Sequence, residues 1–167
     1  RTCGAGWRLG AEVDFAARRR RGAAELTVER VAPDATQLSL DTRGLDIASV
    51  ALRDASGALR PLEYRFGPLD PLLGSALQVT VPAPVRPGTM QVVRIEYATR
   101  PDATALQWLA PEQTAGRTQP FLYTQSQSIH ARSWIPVQDS PGIRFTYDAR
   151  IRTPLGVRAV MSAAPDP

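Results

Sequence analysis

Leu9, Ala11, Val13 and Phe15 alternate with more polar neighbours, and this two-residue period recurs along the chain in short segments broken by glycine and proline. The period sets side chains on alternate faces of an extended backbone, so it commits the chain to half-buried strands. Ala24, Leu26 and Val28 carry it onto a predicted return strand. Leu38 and Leu40 share a face in TQLSLDT, and Val50 and Leu52 point inward from IASVALRD, with a turn at ASG (55–57). In ALRPLEYRF, Leu62, Tyr64 and Phe66 face one way, and Pro61 argues for an edge because it donates no ladder hydrogen bond. ALQVTVP and TMQVVRIEYAT read as a strand pair around the turn APVRPG, with Val93, Ile95 and Tyr97 on one face. PFLYTQSQ (120–127), IRFTYDARIRT (143–153) and VRAVMSA (157–163) complete the predicted strands. A single helical turn fits around residues 129–132, and no longer window has a helical pattern. The expectation is an all-β chain: a saddle-like antiparallel β-sandwich or pair of open sheets.

A chain of 167 residues, 43% of them hydrophobic, can bury one core without disulfides, so residues 1–167 are expected to form one domain. No run approaches the roughly 20 apolar residues that a membrane-spanning helix needs, and no membrane partner is predicted. Cys3, the single cysteine, has no internal partner for a bridge and no companions for a thiolate metal site. The sequence begins on Arg1, as expected of a processed product or a piece of a longer chain. The compartment therefore stays open: cytoplasmic, or periplasmic or secreted if a signal peptide has been removed. The formal charge is +4, and all 20 cationic residues are arginine, which reads as coding bias more than as a binding patch. The densest run, residues 18–21, is expected at a solvated hairpin tip. No nucleic-acid motif accompanies the charge, and no nucleic-acid partner is predicted.

The stretch TQSQSIHARSWIPVQDSP (124–141) departs from the alternating pattern and holds the only histidine. There is no His-Glu-x-x-His, no glycine-rich phosphate loop and no Gly-x-Ser-x-Gly elbow. His130, Asp139 and the nearby serines permit a triad on composition alone, without any oxyanion motif, so no catalytic residue and no metal ligand is expected in this chain. On a strand over 121–127, Gln125 and Gln127 would project from one face and offer two carbonyl acceptors and four N–H donors to a ligand. Paired polar residues on a solvent face explain the same pattern, and the residues alone leave both readings open. Trp108 and Trp134 are expected to fill the core or an interface, and His130 and Arg132 to satisfy carbonyls or carboxylates. In QDSPG, Asp139 is expected to bond its own backbone two residues on.

Residues 105–154, with the blocks LQWL-PEQT-G and TQ-Q-IH-R---P-QD-P, and the closing MSA at 161–163 resemble the aminopeptidase N-like zinc metallopeptidases, nearest the leukotriene A(4) hydrolase branch with its bacterial aminopeptidase relatives. VDF, G-A-LTV and LDT--L-I--V fit the same N-terminal domain more loosely. The resemblance implies a saddle-shaped β-domain whose partner is the parent's own catalytic domain, and which continues for a few strands beyond Pro167. It implies that zinc, its ligands and the general base lie in that catalytic domain and that this chain alone binds no zinc and is inactive. It assigns Gln127 to the free α-amino group of a peptide substrate, with Gln125 lining the same pocket. Ser128 and Val137 depart from the family's pattern, and whether the parent also opens epoxides depends on downstream residues. The competing expectation is a free-standing β-sandwich binding or adhesion module.

Overall fold

The computed structural model describes residues 2–30, 32, 35–82 and 89–165, with side chains from residue 6 onward. The expected turn APVRPG and the Cys3 side chain lie outside the described residues. Eleven strands follow in order: β1 (Thr2–Asp14), β2 (Arg19–Arg30), β3 (Gln37–Thr42), β4 (Leu45–Arg53), β5 (Leu59–Pro61), β6 (Tyr64–Phe66), β7 (Ser75–Thr80), β8 (Gln91–Thr99), β9 (Leu106–Leu109), β10 (Phe121–Thr124) and β11 (Thr146–Arg152). Two single turns of 3₁₀ helix, Pro111–Gln113 and Ala131–Ser133, interrupt the later part. The second realises the expected helical turn, shifted by about two residues.

The large sheet has the order β11-β1-β2-β8-β4-β5, the small one β3-β7-β6, and β9 pairs with β10. The two larger sheets share a core. From the large sheet come Trp7, Leu9, Leu26, Val28, Val93, Ile95 and Tyr97, and from the small one Leu38, Leu40, Leu77 and Val79. Leu9, Leu26, Val28, Leu38, Leu40, Val93, Ile95 and Tyr97 are the residues the alternation selects, and Trp7, Leu77 and Val79 join them. Strict alternation would put Leu45 and Val50, five positions apart, on opposite faces. Both are buried, because an irregularity between Ile47 and Ser49 resets the register against β8. A bulge inserts one unpaired residue and so restores an inward face.

Gly22 marks the tightest approach inside the large sheet. A Cβ there would lie 2.0 Å from the Gly10 carbonyl oxygen, so only glycine lets β1 and β2 close at this point.

Several sequence expectations change in three dimensions. ALQVTVP and TMQVVRIEYAT are not a strand pair: β7 lies between β3 and β6, while β8 lies between β2 and β4. Both present buried apolar rows, and these rows meet across the core instead of side by side. ALRPLEYRF is also divided between sheets. Leu62 still donates its N–H to Val50 of the large sheet at 2.9 Å, and the next carbonyl, Glu63, already accepts from Thr80 of the small one at 2.9 Å. Pro61 does lie in the edge strand β5. β11 runs parallel to β1, a departure from an all-antiparallel layout. Residues 157–163 form no strand; Ser162 instead meets the Tyr147 hydroxyl at 2.8 Å.

The hairpin tip is residues 15–18, so most of the arginine run lies within β2. Arg19 pairs with Asp46 at 3.2 Å, Arg21 is exposed, and Arg20 is 4% exposed. The expectation of four solvated arginines is corrected: position 20 shares the inward parity of positions 24, 26 and 28.

On the outer face of the large sheet, Glu25 gathers Arg8, Arg53 and Arg94. Burial alone would raise the Glu25 carboxyl, but hydrogen bonds and charge from Arg53 and Arg94 outweigh it and hold the group below its ordinary value. The unfolded chain therefore takes up the Glu25 proton at higher pH than the folded one. The stabilisation is complete above the ordinary glutamate range, about pH 4.3, and is lost as pH falls through the lower folded value. Thermal melts should show Glu25→Gln melting below the unsubstituted chain at neutral pH, with the gap closing in acid. A gap that does not change between pH 7 and pH 3 would contradict this assignment.

Candidate functional site

The stretch from 124 to 141 begins where β10 ends. Gln125 still donates its N–H to the Ala105 carbonyl at 2.9 Å, extending the β9–β10 pairing by one residue. The Gln125 side-chain oxygen then accepts the N–H of Gln127 at 3.0 Å. The backbone leaves the strand direction, the Gln127–Ser128 peptide is cis, and His130 closes the turn with an N–H to the Ser126 carbonyl at 3.0 Å. The expected strand over 121–127 therefore stops at Thr124, because a local side-chain acceptor captures the amide that a ladder would use. The two glutamines are brought together, but as successive parts of one turn and not as neighbours on a strand face.

Their chemistry then diverges. The Gln125 carbonyl oxygen is engaged inside the loop. Gln127 is exposed, and among the described residues its side-chain amide makes no hydrogen bond. A free primary amide offers an acceptor oxygen and two donors. Tyr123 and Phe121, both half-exposed and 6.1 Å apart between ring centroids, occupy the same face of β10 as Gln125. An apolar strip thus runs up to the amides.

The segment behind the loop is pinned from several sides. The His130 Nδ1 meets the Thr104 hydroxyl at 2.9 Å, and among the described residues no carboxylate pairs with the ring, so the triad allowed by composition is not assembled there. Ser133 donates to the His130 carbonyl at 2.8 Å and accepts the Ala105 N–H at 3.0 Å. Arg132, 7% exposed at its side chain, donates from its backbone N–H and Nε to Asp139 Oδ2 at 3.2 and 3.1 Å. Its two terminal nitrogens reach the carbonyls of Leu73 and Asp139, each at 3.2 Å, and Asp41 lies 3.6 Å away. Asp41 Oδ2 in turn accepts the Asp139 N–H at 2.9 Å. Asp139 therefore serves Arg132, not its own turn as expected, whereas the expected pairing of Arg132 with carboxylate and carbonyl is what the structure holds. Val137 and Asp41 exchange backbone hydrogen bonds at 2.7 and 3.2 Å, which lays the segment along the free edge of β3.

The Leu73 carbonyl is presented by a turn closed by mutual Asp70–Gly74 bonds of 2.8 and 2.9 Å. Gly74 has φ +78°, and a Cβ there would sit 2.2 Å from the Thr42 oxygen, so this turn also depends on glycine.

Trp134 and Trp108 behave differently. Trp108 meets Phe15 edge-on at 5.5 Å, and its indole N–H is buried without a partner among the described residues. Trp134 lies with its ring over the Arg20 guanidinium, 4.6 Å from the ring centre, and donates its Nε1–H to the Ser126 hydroxyl at 3.0 Å. Sequence reasoning had not connected Arg20, Ser126, Thr104 or Asp41 to the loop. The inward parity of position 20 was the one available signal; the others depend on three-dimensional approach.

Among the described residues, no three of His, Cys, Asp and Glu converge to hold a metal ion, and the single imidazole is engaged with Thr104. Zinc does not fit these residues. A broad concavity of about 1370 Å³ over the charged outer face of the large sheet is lined by neither Gln125 nor Gln127.

The fold and loop together define an open-sheeted, all-β domain that presents a rigidly backed polar turn at its rim. The chain belongs to the peptidase M1 N-terminal domain family, whose model matches residues 6–166. It is 38% identical to the leukotriene A-4 hydrolase of Xenopus laevis over 156 residues, 92% of this chain and 24% of that protein. It is 36% identical to leucine aminopeptidase 2 of Sclerotinia sclerotiorum over 148 residues, 88% of this chain and 24% of that one. The native yeast LTA4 hydrolase structure superposes with a TM-score of 0.79 at 27% identity, covering 92% of this chain and 23% of its own. An M1 zinc metallopeptidase from Deinococcus radiodurans, 21% identical with a TM-score of 0.69, shares the fold over 92% of this chain and 33% of its own. The chain spans about a quarter of the length of the curated relatives it matches.

Proposed function

We propose that this chain is the N-terminal β-domain of a zinc aminopeptidase, and that Gln127 receives the free α-amino group of the peptide substrate. The observation that carries this reading is the contrast at the loop: a free, exposed carboxamide on a turn whose backbone is tied by the Gln125 side-chain oxygen and by the His130 N–H to Ser126 bond. A substrate ammonium has three N–H donors, and a carboxamide carried on a backbone fixed by the Gln125 side chain can accept one of them with only its own rotamer left to order. Gln125 supports the same pocket indirectly, by holding the backbone of Gln127. Family membership and quarter-length coverage favour this over a free-standing adhesion module. The zinc, its ligands and the general base then belong to a catalytic domain elsewhere in the longer polypeptide, and epoxide opening depends on that domain.

The coding sequence downstream should contain His-Glu-x-x-His followed by a further glutamate. The long protein should hydrolyse an aminoacyl-anilide, lose that activity to a chelator and regain it with zinc. The 167 residues alone should neither bind zinc nor hydrolyse the substrate. Zinc-dependent hydrolysis by this chain alone would overturn the reading.

A further inference from the structure

We infer that Arg20 and Trp134 form the positioning device of the glutamine turn, transmitting the rigidity of the large sheet to Ser126, the residue between the two glutamines. Arg20 is held within β2 by its own backbone, and its N–H donates to the Thr99 hydroxyl at 2.9 Å. Its guanidinium is buried, and among the described residues no carboxylate lies within ion-pair distance. What faces it is the Trp134 ring at 4.6 Å, the Trp134 carbonyl at a long 3.5 Å, and the buried Tyr97. Burial lowers the Arg20 guanidinium from its ordinary value and Tyr97 opposes the shift, so the cation rests on Tyr97, the Trp134 carbonyl and the Trp134 ring face.

The ring cannot leave without exposing or orphaning that charge. Arg20 therefore fixes the ring plane, and the ring plane fixes the direction of the indole N–H. That N–H holds the Ser126 hydroxyl at 3.0 Å, and the Ser126 carbonyl is the acceptor for His130. One side chain thus links the sheet interior to the turn: its face rests on the cation and its edge on the loop. Neither Arg20 nor Trp134 needs to touch a substrate, so both are positioning residues. The kinetic arm of the test below rests on the function proposed above; the exchange arm does not.

Trp134→Phe retains a smaller aromatic face for Arg20 and removes the indole donor. Arg20→Leu removes the cation while keeping an apolar filling, and Arg20→Lys retains a cation. Hydrogen exchange of the peptide covering 124–134, in the intact protein, should quicken by roughly fivefold in Trp134→Phe and in Arg20→Leu, the scale set by one lost hydrogen bond. Arg20→Lys should restore part of the protection. In the long enzyme, KM for an aminoacyl-anilide should rise severalfold in Trp134→Phe with kcat within twofold. Unchanged exchange in Trp134→Phe, or no difference between Arg20→Leu and Arg20→Lys, overturns the assignment. If exchange quickens while KM stays constant, the positioning device stands and the proposed role of Gln127 fails.

Discussion

Arg132→Met is expected to lower the unfolding free energy by about 3–5 kcal/mol, the cost of breaking a buried ion pair by removing one partner. Methionine nearly matches the arginine stem, so the loss is not a packing defect. It arises because the Asp139 carboxylate, 11% exposed at its side chain, is left without its guanidinium partner. The Leu73 and Asp139 carbonyls lose their donors as well. Urea unfolding monitored by circular dichroism reads the change as a lower midpoint at constant slope. Arg132→Met with Asp139→Asn should recover part of the loss, since the unpaired carboxylate is then gone. A single-variant loss below about 1 kcal/mol would show that water reaches the pair and that it behaves as a surface contact.

The second large effect is catalytic and is expected of the longer aminopeptidase proposed above. Gln127→Leu is expected to reduce kcat/KM for peptide substrates by about 2–3 kcal/mol, the range for a hydrogen bond to a charged group. Leucine keeps the bulk of the side chain but offers no acceptor to an ammonium. Folding should be nearly unaffected, because the Gln127 carboxamide makes no bond among the described residues that the substitution could break. Steady-state kinetics on a free-amine substrate and on its N-acetylated counterpart separate the two readings. The selectivity for the free amine should collapse in the variant. Unchanged kinetics would remove Gln127 from the pocket.

Most strands were legible because their signal is local. Leu38 and Leu40, or Val93, Ile95 and Tyr97, reveal their buried face by spacing alone. Which sheet a strand joins is not local. β7 and β8 have the same alternation and are near each other in sequence, yet lie in opposite layers. Glu63 follows Leu62 directly and already bonds to the other sheet. β11 reads as an ordinary strand, and nothing in its residues announces a parallel partner more than a hundred positions away.

The loop stands out in composition, but its shape does not. The residue pattern extends a strand through Gln125 and Gln127, since the capture of the Gln127 amide by the Gln125 side chain has no signature in it. Asp139 was given a local turn bond because its neighbours are Ser140, Pro141 and Gly142. Its actual partner, Arg132, is reached only once the segment folds back on β3. Arg20 shows the opposite case: its inward parity was in the sequence, hidden among three other arginines.

The parallel pairing of β11 with β1 has a consequence for how the molecule is made. Trp7 lies beside Tyr147, so β1 gains its second neighbour only after β2 to β10 have been synthesised. Contacts of such long sequence separation slow folding, because a long loop must close before the pairing stabilises anything. The hairpin of β1 and β2 can form early and wait with one flank bare. The glutamine turn lies between β10 and β11 and is backed by β3, so its seating is a late event. Shielding of the bare β1 flank until β11 arrives would therefore favour chains that complete this sheet.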